Sequence, residues 1–428
     1  MPPRPDRSRA TARQSPLRPL PLGDEASIRE ALPALASALN GSGAPLIPCA
    51  AEADPPAVPP ATAGPAAADL PADLAMVVAT SGSTGIPKQV LLTGAALRAS
   101  AHATAAALDG PGDWLLAIPP HHIGGLQVIV RSAIAGRALT VMDRSQGFTP
   151  AAFADATAHM PGGDHPAYVS LVPTQVTRLL RDARGRAALA RFSAVLCGGA
   201  ATPPSLRVAA AAAGVRLVAT YGMTETCGGC VYDAIPLPTT HIHIDNDRHV
   251  VLGGPMVAAG YLGEPDLTAD HFQTDADGLR WFRTDDLGAL DDEGKLTITG
   301  RADDLINTGG VKVAPGPIED ALVRFVPGVC DAVVVGVPDI EWGQRVAAVI
   351  TVSPGVRGPA LVEIREVLRD ILPGASLPHI VRVVTEVPMR GPGKPNRDAI
   401  RALLGSDDTS GRGTSGPDLG PRTTSRGQ

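Results

Sequence analysis

The 428-residue sequence predicts an α/β protein in which a large N-terminal domain with mainly parallel sheets precedes a small, mobile α+β C-terminal domain. Three observations carry this reading. From Leu74 onward, short apolar runs alternate with longer Ala-rich stretches, a pattern that packs helices over a sheet buried on both faces. Beyond about Gly300 the texture changes to closely spaced short strands with two amphipathic stretches. The length itself suits two or three domains at roughly 100 to 200 residues each.

Residues 1–20 are Arg-rich, broken by proline and lack an apolar signal core, so they read as a disordered tail. The N-terminal domain then spans 21–300, interrupted by a Pro/Ala linker over 53–71. Its candidate strands are AMVVA (75–79), WLLAI (114–118), ALTVM (138–142), YVSLV (168–172), AVLC (194–197) and VRLVAT (215–220). Helices fill the intervals. Thr93 is placed to cap one over 94–108, and Thr174 another running to Arg181. The C-terminal domain spans 301–404, with strands in VKV, DAVVVGV, RVAAVITV and IVRVVTEV and helices near 315–326 and 359–371. Pro315 suits a first helical turn, where its missing N–H costs nothing. Residues 405–428 form a second polar tail.

Composition narrows the function. Gly (47) and Pro (42) together stay below the roughly 25 to 30% of low-complexity chains. With 3% aromatic residues, the core must rest on Val, Leu, Ile and Ala. A net charge of −6 provides no basic field for a nucleic acid backbone. Arg131 and Arg137 interrupt the most apolar region, which leaves no membrane-spanning run of about 18 residues. Five sparse cysteines do not form a disulfide framework, and a reducing cytoplasm fits them.

The most informative segment is Thr80-Ser81-Gly82-Ser83-Thr84-Gly85-Ile86-Pro87-Lys88, directly after the first candidate strand. Hydroxyls and glycine amides supply dense donors, glycines allow close backbone approach and the lysine adds a cation, which together suit a polyphosphate. The order differs from G-x-x-x-x-G-K-[ST], which excludes the P-loop NTPase pattern.

This segment resembles the signature phosphate loop of the adenylate-forming superfamily of acyl-CoA synthetases, nonribosomal adenylation domains and luciferases. Further segments agree in order. His122 in PPHHIGG falls on the aromatic or histidine gate, and CGGAA (197–201), with Gly199 and Ala200, matches the loop beside adenine. Tyr221-Gly222-Met223-Thr224-Glu225 matches Y-G-x-T-E, WFRTDDLG (281–288) the ribose motif and GRADDLINTGG (300–310) the hinge. Lys394 in PMRGPGKPNR matches the C-terminal catalytic lysine.

The resemblance implies ATP, Mg²⁺ and CoA as reactants or cofactors. Tyr221 would stack on adenine, Asp286 would accept both ribose hydroxyls, Arg301 would donate to the same sugar, and Glu225 would hold Mg²⁺. Asp285 replaces the glycine usual in the ribose motif and adds a charge there. Lys394 would stabilise the pentavalent phosphate. Asp303 would act as the hinge, and Gly309 and Gly310 would admit pantetheine.

The trimmed region ahead of the phosphate loop, with SLVPTQVTRLL (170–180) and YGMTETCGGCVYD (221–233), looks like the o-succinylbenzoate-CoA ligases of menaquinone biosynthesis. Ser170, Thr174, Gly222 and Cys227 become candidate acyl-pocket walls, and Arg178 and Arg131 candidates for a second substrate carboxylate. Alternatives remain open: another aryl or fatty acyl-CoA ligase, a stand-alone adenylation enzyme, or a non-catalytic nucleotide-binding protein. Cys227 and Cys230, with His241 and His243 nearby, also allow a zinc site. The partners expected are a small carboxylic acid, ATP and CoA, with a homodimer permitted.

Overall fold

The computed structural model describes residues 17–50, 70–80, 87–353, 355–389 and 394–405. Ser81–Gly85, nearly all of the 53–71 linker and most of both tails therefore lie outside the described residues. The chain divides into one unit comprising Met1–Asp303 with Gly391–Lys394, and a second comprising Asp304–Arg390 with Pro395–Gln428.

In the first unit, a seven-stranded sheet places Leu139–Val141, Asp113–Leu116, Ala167–Leu171, Ala194–Cys197 and Leu217–Met223 at one end or in the middle, all parallel. Gly228–Tyr232 and Ile235–Pro236 extend it antiparallel. Side chains alternate between two cores, as the pleat requires. Trp114, Leu116, Tyr168 and Leu196 pack on one face, and Leu115, Val169, Val195 and Cys197 on the other. Each of the six runs read from the sequence as strands is a strand. The Thr93 hydroxyl accepts a hydrogen bond from the Ala96 amide (3.1 Å), capping the Gly94–Ala107 helix.

Three features of the first unit differ from the sequence expectation. Residues 18–20, assigned to a disordered tail, belong to strand Arg18–Leu22, which pairs parallel with Leu46–Ala50 at the edge of a five-stranded sheet. Its prolines suit an edge position, where a missing ladder donor is tolerated, and buried Leu20 and Leu22 anchor it. Thr174 is not a cap: Pro173 opens the helix, and the Val172 amide donates to Gln175 Oε1 (3.0 Å). The domain also contains a wholly antiparallel sheet formed by His241–Ile244, His249–Gly253, Phe272–Thr274, Arg280–Leu290 and Leu296–Arg301. Its long strand, RWFRTDDLGAL, alternates inner and outer residues and so has no continuous apolar run.

The second unit is a five-stranded sheet centred on the antiparallel pair Val329–Asp339 and Gly343–Val352, with Ile380–Val383 added parallel. Helices Pro315–Phe325 and Leu361–Leu368 cover one face, and Arg397–Gly405 covers the other. Gly405 thus closes a helix rather than opening the tail. No helix among the described residues is long and apolar enough to cross a membrane.

Leu322 is fully buried between the Pro315–Phe325 helix and the sheet. Leu322→Ala is expected to destabilise the second unit by about 2–5 kcal/mol. Hydrogen exchange should show faster exchange of the amides in 315–352, with those of 113–197 unchanged.

Candidate functional site

The parallel strands of the first unit end along a common edge, where loops can gather polar groups from several strands. Ala194–Cys197 leads into Gly199 and Ala200, both exposed, and Leu217–Met223 carries Tyr221 and Gly222. Gly222 faces Gly229 across an antiparallel pair, and a Cβ at Gly222 would lie 2.2 Å from the Gly228 carbonyl oxygen. Only glycine permits this approach.

Beyond that strand, Thr224–Thr226 form one tight turn. The Met223 amide donates to Thr226 Oγ1 (3.0 Å), and the Thr226 hydroxyl donates to the Gly228 carbonyl (2.8 Å). The turn buries the Glu225 side chain, whose Oε1 accepts a hydrogen bond from the Tyr261 hydroxyl (3.1 Å). Burial raises the Glu225 pKa, against the Tyr261 hydrogen bond and the Lys88 charge. Lys88 Nζ lies 5.2 Å from the Tyr261 ring centre. The Thr80 amide donates to the Lys88 carbonyl (2.8 Å), closing the two ends of the phosphate-loop segment. Tyr261 was missed in the sequence, where GYLGEP matches no motif. Its rarity as one of four tyrosines is the signal that was there.

A second cluster joins the parallel sheet to the antiparallel one. The Tyr221 hydroxyl donates to Asp286 Oδ2 (2.8 Å), and Arg301 Nη1 donates to Asp286 Oδ1 (3.1 Å). Asp286 and Arg301 face each other in the pairing of Arg280–Leu290 with Leu296–Arg301. Asp286 is buried, and desolvation raises its pKa against the opposing charge of Arg301. Arg301 also contacts Asp285 (3.5 Å) and donates to both Asp303 carboxylate oxygens (2.9 Å each). Desolvation acts against the Arg301 charge, but these carboxylates outweigh it and raise its pKa.

His122 is exposed at the start of the Ile123–Ala135 helix, its ring 4.4 Å from that of His121. His121 Nδ1 is buried without a hydrogen-bond partner, and burial, with the charges of His122 and Arg144, lowers its pKa to about 4. Ser170 is buried near the end of its strand, and Thr174 is exposed on the helix that follows. Lys394 is exposed. In the second unit, Gly309 and Gly310 turn between two strands with φ of 58° and 79°. A Cβ at Gly309 would lie 2.7 Å from the Trp342 ring.

Two sequence candidates separate from the others. Arg131 is buried against Trp114, at the amino ends of the parallel strands and away from Ser170 and Gly222. A sequence position on the gate helix could not reveal this, because Arg131 sits more than two turns along from His122. Cys227 and Cys230 are buried free thiols, whereas His241 and His243 stand beside Trp281 on the antiparallel sheet. Burial raises both thiol pKa values, Cys230 to about 12, which keeps them protonated. Among the described residues, no group of three or more His, Cys, Asp or Glu could hold a metal ion.

Parallel strand ends bearing a glycine-rich turn, a buried carboxylate and a Tyr–Asp–Arg cluster define a nucleotide-handling type of α/β protein, with a small second unit attached. The chain belongs to the AMP-binding enzyme family: the family model matches residues 23–262, and that of the AMP-binding enzyme C-terminal domain matches residues 317–394. It is 44% identical over 339 residues to a probable 2-succinylbenzoate–CoA ligase of Mycobacterium tuberculosis, covering 78% of this chain and 86% of that one. Its fold is similar to that of o-succinylbenzoate CoA synthetase from Bacillus subtilis in complex with the acyl-adenylate intermediate OSB-AMP. That match has a TM-score of 0.63 and 26% identity, over 76% of this chain and 68% of that one. The complex of the Bacillus enzyme with ATP and magnesium ion matches with a TM-score of 0.59 and 26% identity, over 73% and 67% of the two chains.

The depressed His121 pKa means that the folded protein binds fewer protons than the unfolded chain between about pH 4 and pH 6.5. Stability from neutral His121 is therefore present above pH 6.5 and lost as the pH falls toward 4. In thermal melts, wild-type Tm minus that of His121→Asn should decrease steadily over this range. A pH-independent difference would contradict the assignment.

Proposed function

We propose that this protein is an ATP-dependent, AMP-forming acyl-CoA ligase that converts 2-succinylbenzoate to 2-succinylbenzoyl-CoA in menaquinone biosynthesis. The 44% identity to the mycobacterial ligase over most of both chains is the observation that supports this substrate most directly. The five free cysteines suit a cytoplasmic enzyme.

The reaction has two halves. A substrate carboxylate oxygen attacks the α-phosphorus of ATP, forming an O–P bond as diphosphate leaves. The CoA thiol then attacks the acyl carbon, giving up its proton, and AMP departs with the electron pair. In this reading Asp286 receives the ribose hydroxyls, with Arg301 fixing its orientation, and the Tyr221 ring supports adenine. Gly199, Ala200, Gly222 and Thr224 form the surrounding backbone surface. The segment Thr80–Lys88 receives the phosphates, and His122 gates the acid, whose pocket draws on Ser170, Thr174, Gly222 and Cys227.

Glu225 fits Mg²⁺: a buried carboxylate with one oxygen engaged by Tyr261 leaves a hard oxygen donor, and its desolvation is relieved by a cation. Mg²⁺ characteristically takes one or two protein carboxylates together with substrate phosphates, so no larger cluster is needed. When bound, it would neutralise phosphate charge. Lys394 supplies positive charge to the phosphoryl oxygens during adenylation. Asp303 serves as the hinge, and Gly309 and Gly310 leave backbone space for pantetheine in the second half.

The half-reactions separate experimentally. Lys394→Ala should lower adenylation by about 10²–10³-fold and leave thioester formation from supplied acyl-adenylate near wild type. Gly310→Leu should do the reverse, and equal loss of both steps in both variants would contradict the division of labour.

In a diphosphate-release assay across carboxylic acids, 2-succinylbenzoate should give the highest kcat/KM. No turnover with it, alongside activity on another aryl or fatty acid, would replace the substrate assignment. ATP binding without acyl-adenylate formation from any acid would favour a non-catalytic nucleotide-binding protein.

A further inference from the structure

The first unit contains a cavity of about 160 Å³ between the Gly94–Ala107 helix, the second half of the Ile123–Ala135 helix and the amino ends of strands Asp113–Leu116 and Ala167–Leu171. Because the strands are parallel, this is the edge opposite Gly199 and Ala200. Thr104, Leu108, Trp114, Arg131, Ile134 and Tyr168 line it.

Arg131 makes the cavity unusual. Its residue surface is only 6% exposed, its Nε is buried without a hydrogen-bond partner, and no carboxylate among the described residues pairs with it. Its guanidinium carbon lies 5.1 Å from the centre of the Trp114 ring. Its polar neighbour is the Tyr232 hydroxyl, which also contacts Thr104 Oγ1 (3.0 Å). Burial acts to lower the Arg131 pKa and Tyr232 opposes it, but arginine remains protonated under ordinary conditions. A neutral hydroxyl and a ring face offset only part of the cost of a buried cation, whereas an anion in the adjoining space offsets more.

The remaining walls are mostly apolar, with Leu108, Trp114 and Ile134 set around the charge. A cavity of about 150 Å³ accommodates benzene, so this one has room for an aromatic ring of that size. Inorganic anions would satisfy the charge but would leave the apolar walls in contact with water. We propose that the cavity binds a benzoate-sized carboxylate, its anionic end on Arg131 and its ring against Trp114, Leu108 and Ile134. This site is separate from the acyl pocket and does not depend on the ligase assignment.

Trp114 provides the readout. In full-length protein carrying Trp281→Phe and Trp342→Phe, it is the remaining tryptophan of three. Titration with benzoate should change its fluorescence saturably, and benzoate should bind at least 10-fold more tightly than toluene. Arg131→Met should abolish that preference. Ala105→Leu, which fills the cavity from the Gly94–Ala107 helix without touching the charge, should weaken benzoate by at least 10-fold and provides the test if Arg131→Met does not fold. Absence of a saturable change, equal affinity for benzoate and toluene, unchanged affinity in Ala105→Leu, or equally effective competition by inorganic phosphate would each overturn the proposal.

Discussion

The buried carboxylate of Asp286 is the constraint on which the candidate site depends. It receives Tyr221 from the parallel sheet and Arg301 from the antiparallel sheet, so one side chain joins two layers of the first unit. Desolvation raises the Asp286 pKa, and the Arg301 charge and the Tyr221 hydrogen bond oppose that rise. Removing either donor would leave the buried carboxylate with less to offset its desolvation. Arg301 extends the connection through Asp303 to the last residue of the main segment of that unit. The same guanidinium that holds Asp286 also holds the end of the large unit's main segment.

Glu225 follows the same physical logic with different partners. A three-residue turn pinned by Thr226 buries it, and Tyr261 takes one of its oxygens. Lys88, at the end of the Thr80–Lys88 segment, sits over that tyrosine ring and contributes its charge. Two tyrosines thus organise two acids, each by a hydroxyl donated to a buried carboxylate. The thiols of Cys227 and Cys230 show the opposite outcome. Buried without a cation, they are held protonated and pack as small apolar side chains.

Much of the fold was legible because it rests on local patterns. Short apolar runs such as AMVVA and AVLC, bounded by loop residues, suit strands buried on both faces, and glycine-rich segments after them mark loops at strand ends. The antiparallel sheet was not legible in the same way. Its long strand Arg280–Leu290 alternates inner and outer residues, and His241–Ile244 interleaves histidine with isoleucine, so neither carries an apolar run to count. Strand Arg18–Leu22 was hidden by its prolines, which an edge position tolerates.

By itself, the sequence determined which chemistry is present: motif residues with the charge, hydroxyl or small size that nucleotide chemistry requires, in an order set by the chain. Tertiary structure decided which of them meet. Tyr221 and Asp286 are 65 residues apart, and Glu225 and Tyr261 are 36 apart, yet both pairs share a hydrogen bond because strand pairing and turns bring them to one edge. Arg131 went the other way. It was a candidate cation for a second substrate carboxylate, but the Ile123–Ala135 helix runs back along the sheet and carries it to the opposite edge. Sequence separation cannot encode that reversal. It arises because parallel strands require every connecting helix to return the chain across the sheet.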